Sequence, residues 1–270
     1  ETGLRIVTEE VTTVRSAAVG IWVNVGSRDE STNVAGASHF LEHLLFKGTH
    51  RRTAMDISSS IEAVGGEMNA FTSKEYTCFY ARVIDKDFEL AADVIGDLIT
   101  SSLVKAEDVD AERQVVLEEI AMRDDDPSDL VHDLFLETYY GNNQLGRPIL
   151  GTVDSIKGMS RNSVFNYYKK KYQPYDIVVA VAGNVKHRTV VKVVEKALSR
   201  DGFLDVGGMA PHVRDSKPVK ANGRGSVGLI HRKTEQSHLL LGVDGVERTD
   251  ERRFALSILA VSYTHLTLPT

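Results

Sequence analysis

The sequence has only one cysteine, Cys78, so it cannot form an intramolecular disulfide bond. We therefore expect either a reducing compartment or a core that is stable without cross-links. The sequence also lacks any run of roughly 18 apolar residues, the length that a membrane-spanning helix needs. Its first residues show no basic region followed by an apolar stretch, so we expect neither a secretion signal nor a membrane partner.

An excess of basic residues is missing as well. Lys and Arg number 32 against 38 Asp and Glu, which gives a formal net charge of -6. Because nucleic-acid-binding proteins normally show a basic excess or a basic stripe, no nucleic-acid partner is expected. What the chain does have is size. Its 270 residues, 42 % of them hydrophobic, suffice for one large domain or two modest ones with a substantial core.

The order of apolar residues predicts a mixture of strands and helices. β-Branched or alternating residues indicate strands at 4–8, 17–25, 67–72, 76–84 and 177–182. Helical spacing predicts helices at 34–47, 53–64, 87–101, 107–123, 127–139, 162–171 and 187–198. The predicted fold class is therefore α+β, with a mixed, largely antiparallel sheet packed against helices.

The later part of the chain repeats the order of its beginning. Residues 201–224 are rich in Gly, Pro, Asp and Lys, which is typical of a linker. After them come two predicted strands, 226–231 and 238–243, and then a helix that starts near Asp250. The beginning of the chain has the same order of two strands followed by a helix. We therefore predict two homologous domains, the first over residues 1–200 and the second beginning over residues 225–261.

The last nine residues, 262–270, abandon the helix pattern that precedes them. We interpret them as an aberrant tail from a truncated or misassembled reading frame. On this interpretation the second domain is incomplete.

One short segment, His39-Phe40-Leu41-Glu42-His43, carries the clearest chemical signal. His39 and His43 are four residues apart, so a helix places both imidazoles on one face, where they can bind the same metal ion. Glu42 projects about 60° from His39 around the helix, near enough to touch a metal-bound water without being a ligand. This order is the inverted zincin motif His-x-x-Glu-His. An incidental pair of histidines is the alternative that five residues alone leave open.

A catalytic zinc site needs a third protein ligand and an open position for water. The helix predicted at 107–123 offers three glutamates. Glu112 and Glu119 lie about 20° apart on its apolar stripe, whereas Glu118 turns to the polar side. Carboxylates are costly to bury unless they pair or bind a cation, so Glu119 and Glu112 are the candidates for the ligand and for a carboxylate supporting it. A solvated helix charge remains the alternative for Glu112.

These residues resemble the pitrilysin/insulinase family of zinc metallopeptidases, in the branch with bacterial processing-protease-like enzymes and the mitochondrial processing peptidase β subunit. The resemblance spans residues 4–261 and rests on the five-residue motif, followed 76 positions after His43 by a glutamate. Two further stretches match, residues 65–72 (GGEMNAFT) and residues 145–152 (LGRPILGT). The resemblance implies that three residues bind Zn2+, namely His39, His43 and Glu119. It also implies that Glu42 is the general base and that Glu112 is a second catalytic carboxylate.

The resemblance also implies that residues 67–72 form an edge strand beside the metal. A substrate peptide would add there as an extra strand, bound through the main chain of Asn69, Ala70 and Phe71. An ordinary hairpin strand is the alternative. The expected function is a zinc-dependent metalloendopeptidase that processes or degrades peptides or unfolded polypeptides by metal-activated water, with Glu42 as the base. The competing hypothesis is a non-catalytic scaffold or peptide-binding subunit of a larger assembly.

Family members close a complete second domain over the first. We therefore expect this chain to need a second domain or subunit, such as the partner in a homodimer, to close the chamber, and an inactive truncated form is one expectation for it. The expected location is cytoplasmic, of the bacterial type, in preference to the mitochondrial matrix.

Overall fold

The computed structural model describes residues 2–207, 209–211, 213–214 and 225–264. The chain divides after Lys233 into two units. Five strands lie in the first unit: β1 (Arg5–Glu10), β2 (Ser16–Val23), β3 (Glu67–Thr72), β4 (Thr77–Ile84) and β5 (Ile177–Gly183). Its helices are α1 (Ala37–Leu45), α2 (Ala54–Glu62), α3 (Phe88–Ser101), α4 (Ala106–Asp125), α5 (Pro127–Tyr140), α6 (Val153–Gly158), α7 (Arg161–Lys171) and α8 (His187–Leu198). The second unit contains α9 (Arg253–Thr264).

The five strands form one sheet in the order β1-β5-β2-β4-β3. Only β1 and β5 run parallel, with Arg5 opposite Val178. The other three pairs are antiparallel, and Trp22 in β2 lies opposite Cys78 on one side and Val178 on the other. The predicted α+β class with a mixed, largely antiparallel sheet is therefore confirmed. β3 forms one edge of the sheet, as the family resemblance implied.

The core lies between one face of this sheet and the helices. Val19 and Ile21 of β2 are almost completely buried, whereas Ala18, on the opposite face, is exposed. This alternation is what a strand with one covered face requires. Helices α1 and α3 cover the buried face, and Leu41 and Leu44 of α1 are fully buried. Each such leucine contributes roughly 1.5–3 kcal/mol of apolar transfer free energy, which fixes α1 firmly against the sheet.

Two parts of the chain differ from the prediction. The six-residue helix α6 was not predicted, because it is too short to show a helical period, and the side chain of Thr152 caps its start. The predicted strands 226–231 and 238–243 were wrong, since the structure assigns no strand to either segment. Both are mostly exposed, and strand-like composition does not make a strand without a neighbour to share hydrogen bonds.

The second unit begins at Thr234 and is described as far as Thr264. The helix predicted from Asp250 is present as α9, and it continues three residues past Val261, where the pattern was expected to stop. Part of the predicted linker, residues 215–224, and the tail from residue 265 lie outside the described residues. The predicted domain boundaries stay a prediction. Among the described helices, none combines the length and the apolar character needed to cross a bilayer.

Candidate metal centre

The start of α1 is fixed by a buried carboxylate. Glu30 is 2 % exposed, and its two oxygens accept hydrogen bonds from the N–H groups of Gly36 and Ser38, each at 2.7 Å. Gly36 has a φ of +89°, and a side chain there would collide with the carbonyl oxygen of Leu150. Burial raises the pKa of Glu30 to about 7, although both N–H groups oppose that shift. These contacts restrict the backbone where the chain enters α1.

Helix α4 packs against α1 and carries the glutamates of the site. Its buried residues follow helical spacing and are Val109, Glu112, Val116 and Ile120. Glu119 lies next to this stripe, with its side chain 36 % exposed. Because the two helices meet along the stripe, both glutamates come to lie beside the histidines of α1. Glu118 is exposed, where its carboxylate accepts a hydrogen bond from Gln114.

Three side chains converge on one point between α1 and α4. The Oε2 atom of Glu119 lies 3.6 Å from His39 Nε2 and 3.5 Å from His43 Nε2. The three potential ligand atoms all lie within 4.8 Å of one another. Within the part of the chain that the structure describes, this is the only group of three or more His, Cys, Asp or Glu side chains arranged to hold a metal ion.

The donor set fits a zinc ion. Nitrogen or oxygen ligands about 2.0–2.1 Å from a tetrahedral zinc lie about 3.3–3.4 Å from one another, close to the separations seen here. The Oε2 atom of Glu119 is buried and has no hydrogen-bond partner among the described residues. Burying an ionised oxygen without a partner is costly, so a cation at this point would satisfy it. Two imidazoles and one carboxylate also form a common ligand set of catalytic zinc sites.

Glu112 lies behind His43 rather than in the three-residue cluster. Its Oε2 atom is 3.1 Å from His43 Nδ1, and its Oε1 atom is 2.6 Å from the ammonium group of Lys47. The side chain is 8 % exposed. Glu112 is therefore a buried, paired carboxylate, and the alternative of a solvated helix charge does not describe its surroundings.

Glu42 lies beside the cluster and contacts the sheet. The hydroxyl group of Thr72, the last residue of β3, donates a hydrogen bond of 2.5 Å to Glu42 Oε2. Burial raises the pKa of Glu42, while the hydrogen bond from Thr72 opposes this shift. Glu42 thus combines restricted orientation with increased proton affinity, as a general base requires.

His39 and His43 have different surroundings although they are neighbours, with ring centroids 4.7 Å apart. Burial lowers the pKa of His39 to about 4, and the adjacent His43 adds to this effect. A neutral imidazole can bind a metal ion without first losing a proton. The Nδ1 atom of His39 is buried without a hydrogen-bond partner among the described residues, whereas that of His43 meets Glu112.

The predicted peptide-binding residues lie on β3 at the open edge of the sheet, next to α1. Ala70 points toward the core and is 9 % exposed, whereas Phe71 is 39 % exposed on the opposite face. The side-chain oxygen of Asn69 accepts a hydrogen bond of 2.8 Å from the N–H group of Ala70.

Three residues of this region were not found from the sequence: Lys47, Thr72 and Glu30. Lys47 follows His43 by four positions, which is a usable signal once the helix is known. Thr72 ends the stretch that carries the family resemblance, yet only the structure brings it to Glu42. For Glu30 the sequence holds no signal, because its partners are main-chain N–H groups.

Comparison with family models gives two matches. Residues 5–153 match the model described as insulinase (peptidase family M16), and residues 158–261 match the model described as the peptidase M16 inactive domain. The chain belongs to peptidase family M16. The boundary between the two matches cuts through the sheet of this M16 chain, because β5 falls in the second match and the other four strands fall in the first.

Relatives of this M16 chain are described as uncharacterized zinc proteases. One from Streptomyces coelicolor is 55 % identical over 95 % of this chain and 56 % of its own length. One from Mycobacterium leprae is 50 % identical over 95 % of this chain and 57 % of its own length. One from Bacillus subtilis is 42 % identical over 96 % of this chain and 61 % of its own length. The chain thus spans a little over half the length of these relatives.

Solved structures share the M16 fold. A protease from Helicobacter pylori superimposes with a TM-score of 0.73 at 24 % identity, covering 82 % of this chain and 52 % of that one. The periplasmic protease PqqL from Escherichia coli gives a TM-score of 0.71 at 21 % identity, covering 82 % of this chain and 25 % of that one. At these identities the likeness supports the fold alone.

Proposed function

We propose that this chain carries the zinc-binding and proton-transferring half of a metalloendopeptidase. In this proposal His39, His43 and Glu119 bind Zn2+, Glu42 is the general base and Glu112 supports His43. The observation that carries it is the buried Oε2 atom of Glu119, which lies within 3.6 Å of both imidazole Nε2 atoms and has no hydrogen-bond partner among the described residues.

The chemistry divides between the ion and the side chains. Zinc bound at this cluster would polarise a peptide carbonyl and lower the pKa of a water molecule. Glu42 would take the proton of the water as its oxygen adds to the carbonyl carbon, and would then give that proton to the departing amine as the C–N bond breaks. The hydroxyl group of Thr72 holds the carboxylate of Glu42 in one orientation during this transfer.

The substrate class in this proposal is a peptide or an unfolded polypeptide. The free edge of β3 lies beside α1, so an extended peptide could pair with Asn69, Ala70 and Phe71 and pass close to the cluster. Main-chain pairing makes little demand on side-chain identity, so broad selectivity follows. A second domain or subunit to close the chamber and a cytoplasmic location remain predictions.

A second candidate function is peptide binding without catalysis, as a scaffold or subunit of a larger assembly. The open edge of β3 favours it, because strand addition needs no metal chemistry. Peptide binding with stoichiometric zinc but without turnover would support this candidate for the chain.

Zinc binding is tested by measuring metal content and zinc affinity of the purified full chain. Glu119→Gln should lose zinc, because it removes the charged ligand. Glu118→Gln is the matched control, since it alters the adjacent, exposed glutamate of the same helix. Equal zinc content in both variants and the parent chain would exclude the proposed ligand set.

The general base is tested by Glu42→Gln. We expect zinc to stay bound while hydrolysis of a quenched peptide falls by about 10²–10⁴-fold, the usual contribution of general-base catalysis. Removal of the metal with a chelator should abolish hydrolysis, and added zinc should restore it. Retained hydrolysis in Glu42→Gln would show that Glu42 is not the general base.

A further inference from the structure

Lys47 forms the outermost link of a chain of contacts that ends at the candidate metal centre. It lies two residues beyond the end of α1, and its Nζ atom is 2.6 Å from Glu112 Oε1. The other oxygen of Glu112 is 3.1 Å from His43 Nδ1, and His43 Nε2 faces Glu119 at 3.5 Å. The order of contacts is therefore Lys47, Glu112, His43 and the cluster.

The ammonium group of Lys47 accounts for how Glu112 can be buried. The carboxylate is only 8 % exposed, and burying an isolated negative charge costs far more than burying a paired one. The side chain of Lys47 is itself 36 % exposed, so its charge remains partly hydrated. The pair is thus held together without the full desolvation cost of two buried ions.

The same contact decides how His43 is oriented. In the tautomer of His43 that carries its proton on Nδ1, the ring donates a hydrogen bond to the carboxylate of Glu112. The lone pair of His43 is then on Nε2, which is the atom that faces the cluster. With Oε1 held by Lys47, Oε2 stays directed at the imidazole.

Within the described part of the chain, no equivalent support exists for the other histidine. His39 Nδ1 is buried and has no hydrogen-bond partner among the residues that the structure describes. Among the described residues, only the imidazole of His43 therefore has a carboxylate at its Nδ1 atom. Its orientation depends on Glu112, and that of Glu112 depends on Lys47.

We propose that Lys47 is a positioning residue of the candidate metal centre, which acts by fixing Glu112 against His43. This inference rests on the proposed zinc site. It predicts that the charge of Lys47 contributes to zinc affinity although Lys47 never touches the metal.

The test is a double-mutant cycle on zinc affinity, measured on the full chain by competition with a chromogenic chelator. Lys47→Met should raise the Kd for zinc about 10-fold, at the lower end of what loss of an outer support costs. Lys47→Arg, which keeps the charge, should restore the affinity to within about 3-fold of the parent chain. In the Glu112→Gln background, Lys47→Met should change the Kd by less than about 2-fold, because the intermediary is already gone.

Lys196→Met is the matched control, since Lys196 forms an ion pair of the same length, 2.6 Å, with Glu89 on the surface. It should leave zinc affinity unchanged. If Lys47→Met fails to fold, Lys47→Gln takes its place in the cycle, because it keeps a polar side chain without the charge.

The outcomes separate the two proposals. A parent chain that binds no zinc overturns the proposed function and this inference together. A parent chain that binds zinc, with unchanged affinity in Lys47→Met, overturns only the role of Lys47. An equal loss with and without Glu112→Gln also overturns it, because Lys47 would then act independently of Glu112. A change confined to the thermal stability of the metal-free chain would mean that Lys47 serves the fold alone.

Discussion

The two ends of α1 are held by different kinds of contact. At the N-terminal end, main-chain N–H groups of Gly36 and Ser38 donate hydrogen bonds to the buried carboxylate of Glu30. At the C-terminal end, the side chains of His43 and Lys47 contact the buried carboxylate of Glu112. The first arrangement fixes where the helix begins, and the second fixes how one imidazole is turned.

This difference separates the placement of the helix from the orientation of the side chains that we propose to bind the metal. A change at Glu30 acts on the backbone and therefore on the stability of the whole unit. A change at Glu112 acts on a ring that can rotate without moving the helix, and therefore on metal affinity. Substitutions at the two ends should accordingly affect different measurements.

The largest effect is expected at the N-terminal end, from Glu30→Gln, and it should depend on pH. Burial raises the pKa of Glu30 from 4.5 to about 7. A raised pKa contributes stability that is fully present below pH 4.5 and is lost as pH rises through about 7, because in this range the unfolded chain releases the proton that the buried group retains. The difference between the two pKa values corresponds to about 3 kcal/mol of unfolding free energy.

Urea unfolding at about pH 5 and about pH 8 measures this contribution. The parent chain should lose more unfolding free energy between the two pH values than Glu30→Gln, whose amide does not titrate. Glu62→Gln, an exposed substitution in α2, should behave as the parent chain does. Parallel pH dependence in Glu30→Gln and the parent chain would show that the carboxyl group of Glu30 does not titrate as described.

A smaller effect is expected at the other end, from Glu112→Gln. Zinc affinity should fall about 10–100-fold, which is typical for loss of a carboxylate behind a metal-binding histidine. Chelator competition measures it, with Glu118→Gln as the control on the same helix. If Glu112→Gln left zinc affinity intact while destabilising the metal-free chain, the two ends of α1 would not differ in the way described.

The smallest effect is expected at Thr72, which attaches the last turn of α1 to the sheet through Glu42. Thr72→Val keeps the shape of the side chain and removes its hydroxyl group. A typical hydrogen bond contributes a net of about 0.5–1.5 kcal/mol, so kcat for peptide hydrolysis should fall about 2–12-fold. Zinc affinity should not change, and Thr72→Ser should recover most of the rate. A loss of zinc in Thr72→Val would instead place Thr72 in support of the ligands.

Local spacing was sufficient to predict the parts of the site that lie within one helix. His39 and His43 share a face because they are four residues apart, and Glu112 and Glu119 point to the same side of α4 because they are seven apart. Most strands and helices of the first unit were likewise predictable from alternation and helical periods. These are properties of neighbouring residues, which a single sequence displays directly.

Contacts between elements distant in sequence could not be predicted in this way. The N–H groups that donate to Glu30 belong to every residue type except proline, so no side-chain pattern marks them. The hydrogen bond from Thr72 to Glu42 depends on how far along β3 the helix crosses the sheet. The prediction for segments 226–231 and 238–243 was wrong for the opposite reason. Their composition favours strands, but the structure assigns no strand to either segment.

The parallel pairing of β1 with β5 also has a consequence for the order of events during synthesis. Arg5 lies opposite Val178, so β1 must wait for a partner that is translated about 170 residues later. At about 5–20 residues per second, this interval is on the order of ten seconds or more. Until then β2 and β4 can pair with each other, but the flank of β2 that β5 later occupies stays open. The nascent chain therefore exposes a sheet edge during this time.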